Sequence, residues 1–149
     1  MGYELRYNPI DLLPDVAVGI KLPIVSVDGR LFDLSYSTEE QAISNLKNLI
    51  LTRRGERVMQ PFFGTTLQDS LFEQDTTLLI SGIKDSISQA VAFWLPYITI
   101  NKLDVTPVTA VASAFEEHGV TISITVSING QQSNTPITFL VTATTIQAI

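Results

Sequence analysis

From Val120 to Ile128, five aliphatic residues (Val120, Ile122, Ile124, Val126, Ile128) alternate without a break with Thr121, Ser123, Thr125 and Ser127. A period of two is met only by an extended strand with one buried and one solvated face. Such a strand needs paired neighbours and a second layer over its apolar face. Ile98 to Val108 before it, and Ile137 to Thr145 after it, read as two further strands, with Asn129-Gly130 marking the turn between the last two. Short connections between consecutive strands imply an antiparallel meander.

The covering layer comes from the preceding residues, where the period is 3.6. Ser37-Thr38-Glu39-Glu40 has the Ser-x-x-Glu spacing of a capping box, so a helix is predicted to start there. Ala42, Ile43, Leu46, Leu49 and Ile50 then share one face. Its end is expected near Arg53 or Arg54, because Gly55 is a favoured stop and cations suit the negative end of a helix. Asp75-Thr76-Thr77 supply N-caps for a second helix carrying Ile80, Ile83, Ile87, Ala90, Val91 and Trp94 on one side, and Pro96 stops it. The expected fold is therefore α+β: two helices packed on a three-stranded antiparallel sheet. Residues 1–36 form an extended N-terminal arm with a small hairpin, and residues 37–149 form the domain. The arm is read from Pro9, Pro14, Gly19, Pro23 and Gly29. Its hairpin joins Ile24–Val27 to Leu31–Leu34 through Asp28-Gly29.

Composition narrows the function. The chain of 149 residues has no cysteine, which removes disulfides, thiolate metal sites and a cysteine nucleophile. Nine Lys and Arg against fifteen Asp and Glu leave a net charge of -6, a poor match to nucleic acid or an anionic membrane. Met1 to Arg6 lacks the form of a secretory signal or a myristoylation site, and no apolar run approaches the roughly 20 residues that span a bilayer. His118, the single histidine, falls in a predicted turn, Glu116-Glu117-His118-Gly119, and offers few nucleophile–base pairings. Glu56, Asp69, Glu73, Asp75 and Asp85 could in principle form a glycosidase pair. Arg53, Arg54, Arg57 and Lys84 lie among them and favour their ionised forms, so caps and ion pairs are the expected role. Neither a catalytic residue nor a cofactor or metal is expected.

After Lys102 there is no Lys or Arg. Edge strands normally guard themselves with lysine, proline or bulges, and the interior of Thr138 to Thr145 has none of these. Threonine favours strands in any case, so the pattern fits either an ordinary strand or an edge that accepts a partner strand.

The segment Leu51-Thr52-Arg53-Arg54-Gly55-Glu56-Arg57-Val58-Met59-Gln60-Pro61-Phe62-Phe63-Gly64, followed by Leu67 and Leu71-Phe72-Glu73, resembles the signature of the baseplate wedge family of contractile phage tails. That family includes the sheath initiators and was historically labelled lysozyme-like. The resemblance covers roughly residues 38–149. In architectural terms, Gly55 permits a left-handed exit from the helix, and Pro61 and Gly64 shape the next turn. Phe63, Leu67, Leu71 and Phe72 fasten the loop to the core, with Arg57 placed to pair with Glu73. Two positions depart from the family pattern: Phe62 stands where an acid is usual before Phe-Gly, and Leu95-Pro96-Tyr97 stands where Glu-Pro-Arg is usual.

The resemblance implies a structural baseplate component that initiates the tail sheath and anchors it by strand pairing. Its implied partners are the sheath protein, other wedge proteins and the tail tube or hub. It would be present in multiple copies in the virion tail after assembly in the host cytoplasm. The implied sheath platform is Ile137, Thr138, Phe139, Leu140, Val141, Thr142, Ala143 and Thr144, with Val120 to Ile128 as a second candidate. Leu95, Pro96 and Tyr97 take the position of the contact with the helical core bundle of the wedge. A cell-wall glycosidase, or the same structural role in a bacteriocin or type VI secretion baseplate, are the alternative readings.

Overall fold

A computed structural model describes residues 13, 15–22, 24, 32–70, 77–108, 119–128, 131–132, 137–142 and 146–148. Ser37 lies in extended backbone (φ −121°, ψ 151°), and its hydroxyl accepts the Glu40 N–H at 3.2 Å. Helix α1 (Thr38–Leu51) starts there, as the capping box predicts. Glu40 reaches one residue further back than the motif requires and accepts the Tyr36 N–H at 3.1 Å. Ser37→Ala is expected to cost about 1 kcal/mol, read from the urea midpoint, because the amide at Glu40 loses its partner.

α1 buries Ala42, Ser44, Leu46, Leu49 and Ile50, while Ile43 packs at the margin of the core. It ends at Leu51, before the expected Arg53 or Arg54. Thr52 turns extended (φ −85°, ψ 125°) and sends both its N–H and its hydroxyl to the Asn48 carbonyl, at 3.2 and 2.6 Å. That frees Arg53 to form a parallel bridge with Thr65. A single turn, α2 (Leu67–Ser70), follows where only a loop was expected, and Leu67 is buried.

Helix α3 (Thr77–Trp94) inserts Leu79, Ile83, Ile87, Ala90 and Val91 into the same core. Its expected caps Asp75 and Thr76 lie outside the described residues. At its end the Leu95 N–H still bonds to Val91, and the Ile98 N–H bonds to Leu95, so Pro96 sits on a tight turn into the sheet.

The sheet contains β3 (Ile98–Val108), β4 (Gly119–Ile128), β5 (Gln131–Gln132), β6 (Ile137–Thr142) and β7 (Ile146–Ala148). Every pairing is antiparallel, in the order β3-β4-β6-β7, with β5 on β4. The three long strands are those read from the sequence. Val120, Ile122, Ile124 and Val126 face the helices with Ile137 and Phe139, so alternation delivers one continuous core.

Two expectations about edges require correction. β6 ends at Thr142, and β7 pairs with it through Phe139↔Ala148, Leu140↔Gln147 and Val141↔Ile146. Over Phe139–Val141 this strand is therefore an inner one and not the edge, because β7 pairs along its outer side there. Val120–Ile124 is paired on both sides, by β3 and β6, and Ser127 and Ile128 are paired by β3 and β5, so most of this strand offers no edge. Ala143 and Thr144 lie outside the described residues.

In the N-terminal segment, β1 (Gly19–Ile20) pairs with β2 (Leu34–Ser35), further out along the chain than the hairpin expected at Ile24–Leu34. Val25 to Leu31, with Asp28-Gly29, are outside the described residues, as are residues 1–12. Lys21 contacts Asp33 at 3.5 Å and Glu40 at 3.4 Å, and the Leu22 N–H reaches Ser44 at 3.4 Å. Burial alone lowers the Lys21 pKa, but the Glu40 and Asp33 charges outweigh it and raise the ammonium above its ordinary value. This part of the expected arm is thus tied to α1.

Candidate assembly interface

The loop between α1 and α2 is built largely from backbone bonds. Thr65 donates to the Thr52 carbonyl at 3.0 Å, and Arg54 donates to the Thr65 carbonyl at 3.1 Å. Within this frame Gly55 donates to Pro61 at 2.8 Å, Gln60 to Arg57 at 3.2 Å and Phe63 to Gln60 at 3.0 Å. The buried Thr65 hydroxyl donates to the Ile50 carbonyl at 3.1 Å, and Thr66 shares a 2.9 Å hydroxyl bond with Ser86 of α3. Arg53, Gly55, Arg57, Pro61, Phe63 and Gly64 of the expected motif therefore meet in one braced loop. Leu71, Phe72 and Glu73 lie outside the described residues.

Arg57 has partners that the sequence reading did not identify. Its guanidinium lies 3.9 Å from the Phe63 ring centroid and donates to Asn48 Oδ1 at 3.1 Å. Phe63 meets Trp94 edge to face at 5.2 Å, and Trp94 meets Phe93 at 5.0 Å. This chain of stacked groups clamps the loop onto the C-terminal end of α3. Arg57→Ala is expected to lower stability by about 1 kcal/mol, with Arg57→Lys recovering little because a point charge cannot reproduce the planar stack. Denaturant midpoints for the two variants check this.

The clamp leaves large apolar side chains in solvent: Val58 is 94% exposed, Met59 91%, Phe62 74% and Phe93 73%. Just beyond Phe93, Leu95 is buried, so only Pro96 and Tyr97 of the expected docking tripeptide reach the surface. Tyr97 Oη accepts from Asn45 at 3.1 Å, Asn45 accepts from Gln41 at 3.0 Å, and Gln41 accepts from Ser35 at 2.5 Å. That relay joins β2, α1 and the turn into β3.

The two outer strands differ. β3 has a register irregularity between Ile100 and Lys102, a Lys102–Asp104 ion pair at 2.6 Å and Pro107 near its end. These are features that block strand addition. β7, Ile-Gln-Ala, has no charge and no proline.

The carboxylates weighed as catalytic are spoken for or lie elsewhere. Glu56 Oε2 accepts the Arg53 N–H at 3.1 Å, and Asp69 pairs with the Arg53 side chain. Asp85 is exposed on α3, whereas Glu73, Asp75 and His118 lie outside the described residues. Among the described residues no group of three or more His, Cys, Asp or Glu could hold a metal ion. No helix among them is long and apolar enough to cross a membrane. The Trp94 contact and the exposure of Val58, Met59 and Phe62 were not read from sequence. The available signal was three large apolar residues in a loop with no helical or strand period.

A family model for the baseplate wedge protein gp25 matches residues 37–133. Baseplate wedge protein gp25 of Enterobacteria phage T4 is 38% identical over 77 residues, which cover 51% of this chain and 58% of that protein. The match thus spans less than two thirds of the relative's length. A Geobacter sulfurreducens crystal structure, provisionally named a tail lysozyme, superposes with a TM-score of 0.55 at 25% identity, covering 71% of this chain and 89% of that one. A chain of the six-fold symmetrised anti-feeding prophage baseplate superposes with a TM-score of 0.59 at 22% identity, covering 74% and 84% respectively, a likeness of fold.

Proposed function

Starting from the fact that this chain belongs to the baseplate wedge protein gp25 family, we propose that it is a non-enzymatic component of a contractile tail baseplate that initiates and anchors the sheath. The observation that carries this reading is the contrast between the two sheet edges: β3 is guarded against strand addition, and β7 is not. An incoming sheath strand pairs on the outer side of β7. Main-chain bonds supply affinity, and alternate side chains set the register. Of the residues first expected as the platform, Phe139–Val141 act one strand further in, as the backing of β7.

The chain occupies the virion baseplate in several symmetric copies after assembly in the host cytoplasm. Its other neighbours are wedge proteins and the tail tube or hub. Pro96 and Tyr97 lie on the side facing a wedge neighbour. No covalent chemistry is required for any of these contacts.

The test is sheath polymerisation followed by electron microscopy, on baseplates assembled with this chain, without it, and with Gln147→Pro. Sheath is expected only with the unaltered chain. If the Gln147 amide points outward, proline removes a donor to the sheath strand; if it points inward, proline loosens β7 itself. Sheath growth on baseplates lacking the chain overturns the initiator role. Sheath growth with Gln147→Pro overturns β7 as its edge.

A further inference from the structure

Four exposed apolar side chains adjoin one row of contacts, Arg57–Phe63–Trp94: Val58 and Met59 follow Arg57 in the chain, Phe62 precedes Phe63, and the Phe93 ring meets Trp94. Single exposed apolar residues are ordinary, but several large ones displayed beside one ordered row of contacts mark an interaction site. These are held outward by construction. Gly55 is bonded to Pro61, Gln60 to Arg57 and Phe63 to Gln60, so the loop is ordered before any partner arrives. Binding at such a surface loses little further conformational freedom.

Charge indicates what covers it. The same loop carries three arginines and one glutamate in a chain whose net charge is -6. Arg53 is paired with Asp69 and Arg57 is stacked, but the exposed Arg54 side chain has no partner among the described residues. An apolar centre with a free cation at its rim complements a protein surface that is apolar at its centre and carboxylate-bearing at its rim. An anionic bilayer fits poorly, since each basic residue near it contributes only about 1 kcal/mol and the molecule as a whole is acidic. A second copy would bring one net negative charge against another.

We infer that Val58, Met59, Phe62 and Phe93, with Arg54 at the rim, form a preorganised dock for an acidic-rimmed apolar surface of a neighbouring wedge protein. This rests on the baseplate reading above and extends the contact at Pro96 and Tyr97 to the tip of the loop.

The test uses the full chain and the neighbouring wedge proteins purified from the same tail, with affinity measured by analytical ultracentrifugation. The double variant Met59→Ser, Phe62→Ser is expected to bind at least ~30-fold more weakly, as for loss of a central interface anchor. Arg54→Glu is expected to weaken binding ~10-fold at ~50 mM salt, with most of that difference gone at ~500 mM. Leu78→Ser, an exposed apolar position at the opposite end of α3, is expected to bind as the unaltered chain does. Melting temperatures of all variants should stay unchanged, which separates docking from folding. If the unaltered chain binds the wedge proteins and the double variant binds equally well, this inference falls while the baseplate reading stands. If the unaltered chain binds no wedge protein, both fall. Loss in the double variant of self-association, or of binding to phosphatidylserine-containing vesicles, with wedge binding intact, would assign the patch to a second copy or a membrane and overturn the inference.

Discussion

Gly64→Ala is expected to lower stability by about 3 kcal/mol or more, and to release the loop that displays Val58, Met59 and Phe62. Gly64 is buried with φ +111°, a region that side-chain-bearing residues rarely enter. A β-carbon there would collide with the Thr52 carbonyl oxygen and lie 3.0 Å from its carbon and 3.1 Å from that of Arg53. All three atoms are backbone, so no side-chain rotation relieves the clash. Relief requires parting Thr52 from Thr65, which breaks the 3.0 Å and 3.1 Å bonds that frame the loop. Gly55 supplies the internal control. It also has positive φ, at +94°, but no atom beyond its chain neighbours lies within 4 Å of where its β-carbon would stand. Gly55→Ala therefore carries only the conformational cost, about 1 kcal/mol. Urea unfolding of the two variants measures the difference, and equal losses would show that the close approach at Gly64 does not matter.

Phe139→Ala is expected to cost about 3–5 kcal/mol, a large share of the stability of a domain this size. Phe139 is fully buried, the largest such side chain among the described residues, and lies in β6 opposite Ile122 of β4 and Ala148 of β7. Truncation removes its transfer energy and opens a cavity between the strand that alternates best and the strand that backs the edge. The neighbours are short-range aliphatics on β4 and helices already committed to the same core, so collapse into the void is limited. Because β7 pairs with Phe139, Leu140 and Val141, the sheath initiation proposed above should fall along with stability. Leu78→Ala, at an exposed position, should change stability by less than about 0.5 kcal/mol. A loss under about 1 kcal/mol for Phe139→Ala, measured by the same unfolding experiment, would mean that this layer is not packed as described.

The two long helices and the three long strands were legible because each carries its own periodic signal. Ser37 and Glu40 mark the start of α1 with local chemistry, and Pro96 marks the end of α3 in the same way. The end of α1 was not legible, since Arg53 prefers a bridge to Thr65, twelve residues further along the chain, over another helical turn. β7 escaped for a related reason. Three residues, Ile146–Ala148, are too few to show a period, and they become a strand only because β6 leaves backbone groups to be paired. The partners of Arg57 followed the same rule: Phe63 and Asn48 are what folding brings to it, while Glu73, the partner suggested by the motif, lies outside the described residues.

What this sequence determined by itself is the α+β class, the order of its main elements, the apolar faces that meet in the core, and the loop motif that marks the family. Those properties reside in spacing and side-chain type along a short stretch of chain, where 3.6 and 2 residue periods and capping residues act locally. Only the tertiary structure decided which strand lies at the edge, which of Leu95, Pro96 and Tyr97 can touch a partner, and which side chains of the loop face water. Edges and exposure depend on what the rest of the chain leaves uncovered, and that is settled by contacts between residues far apart in sequence.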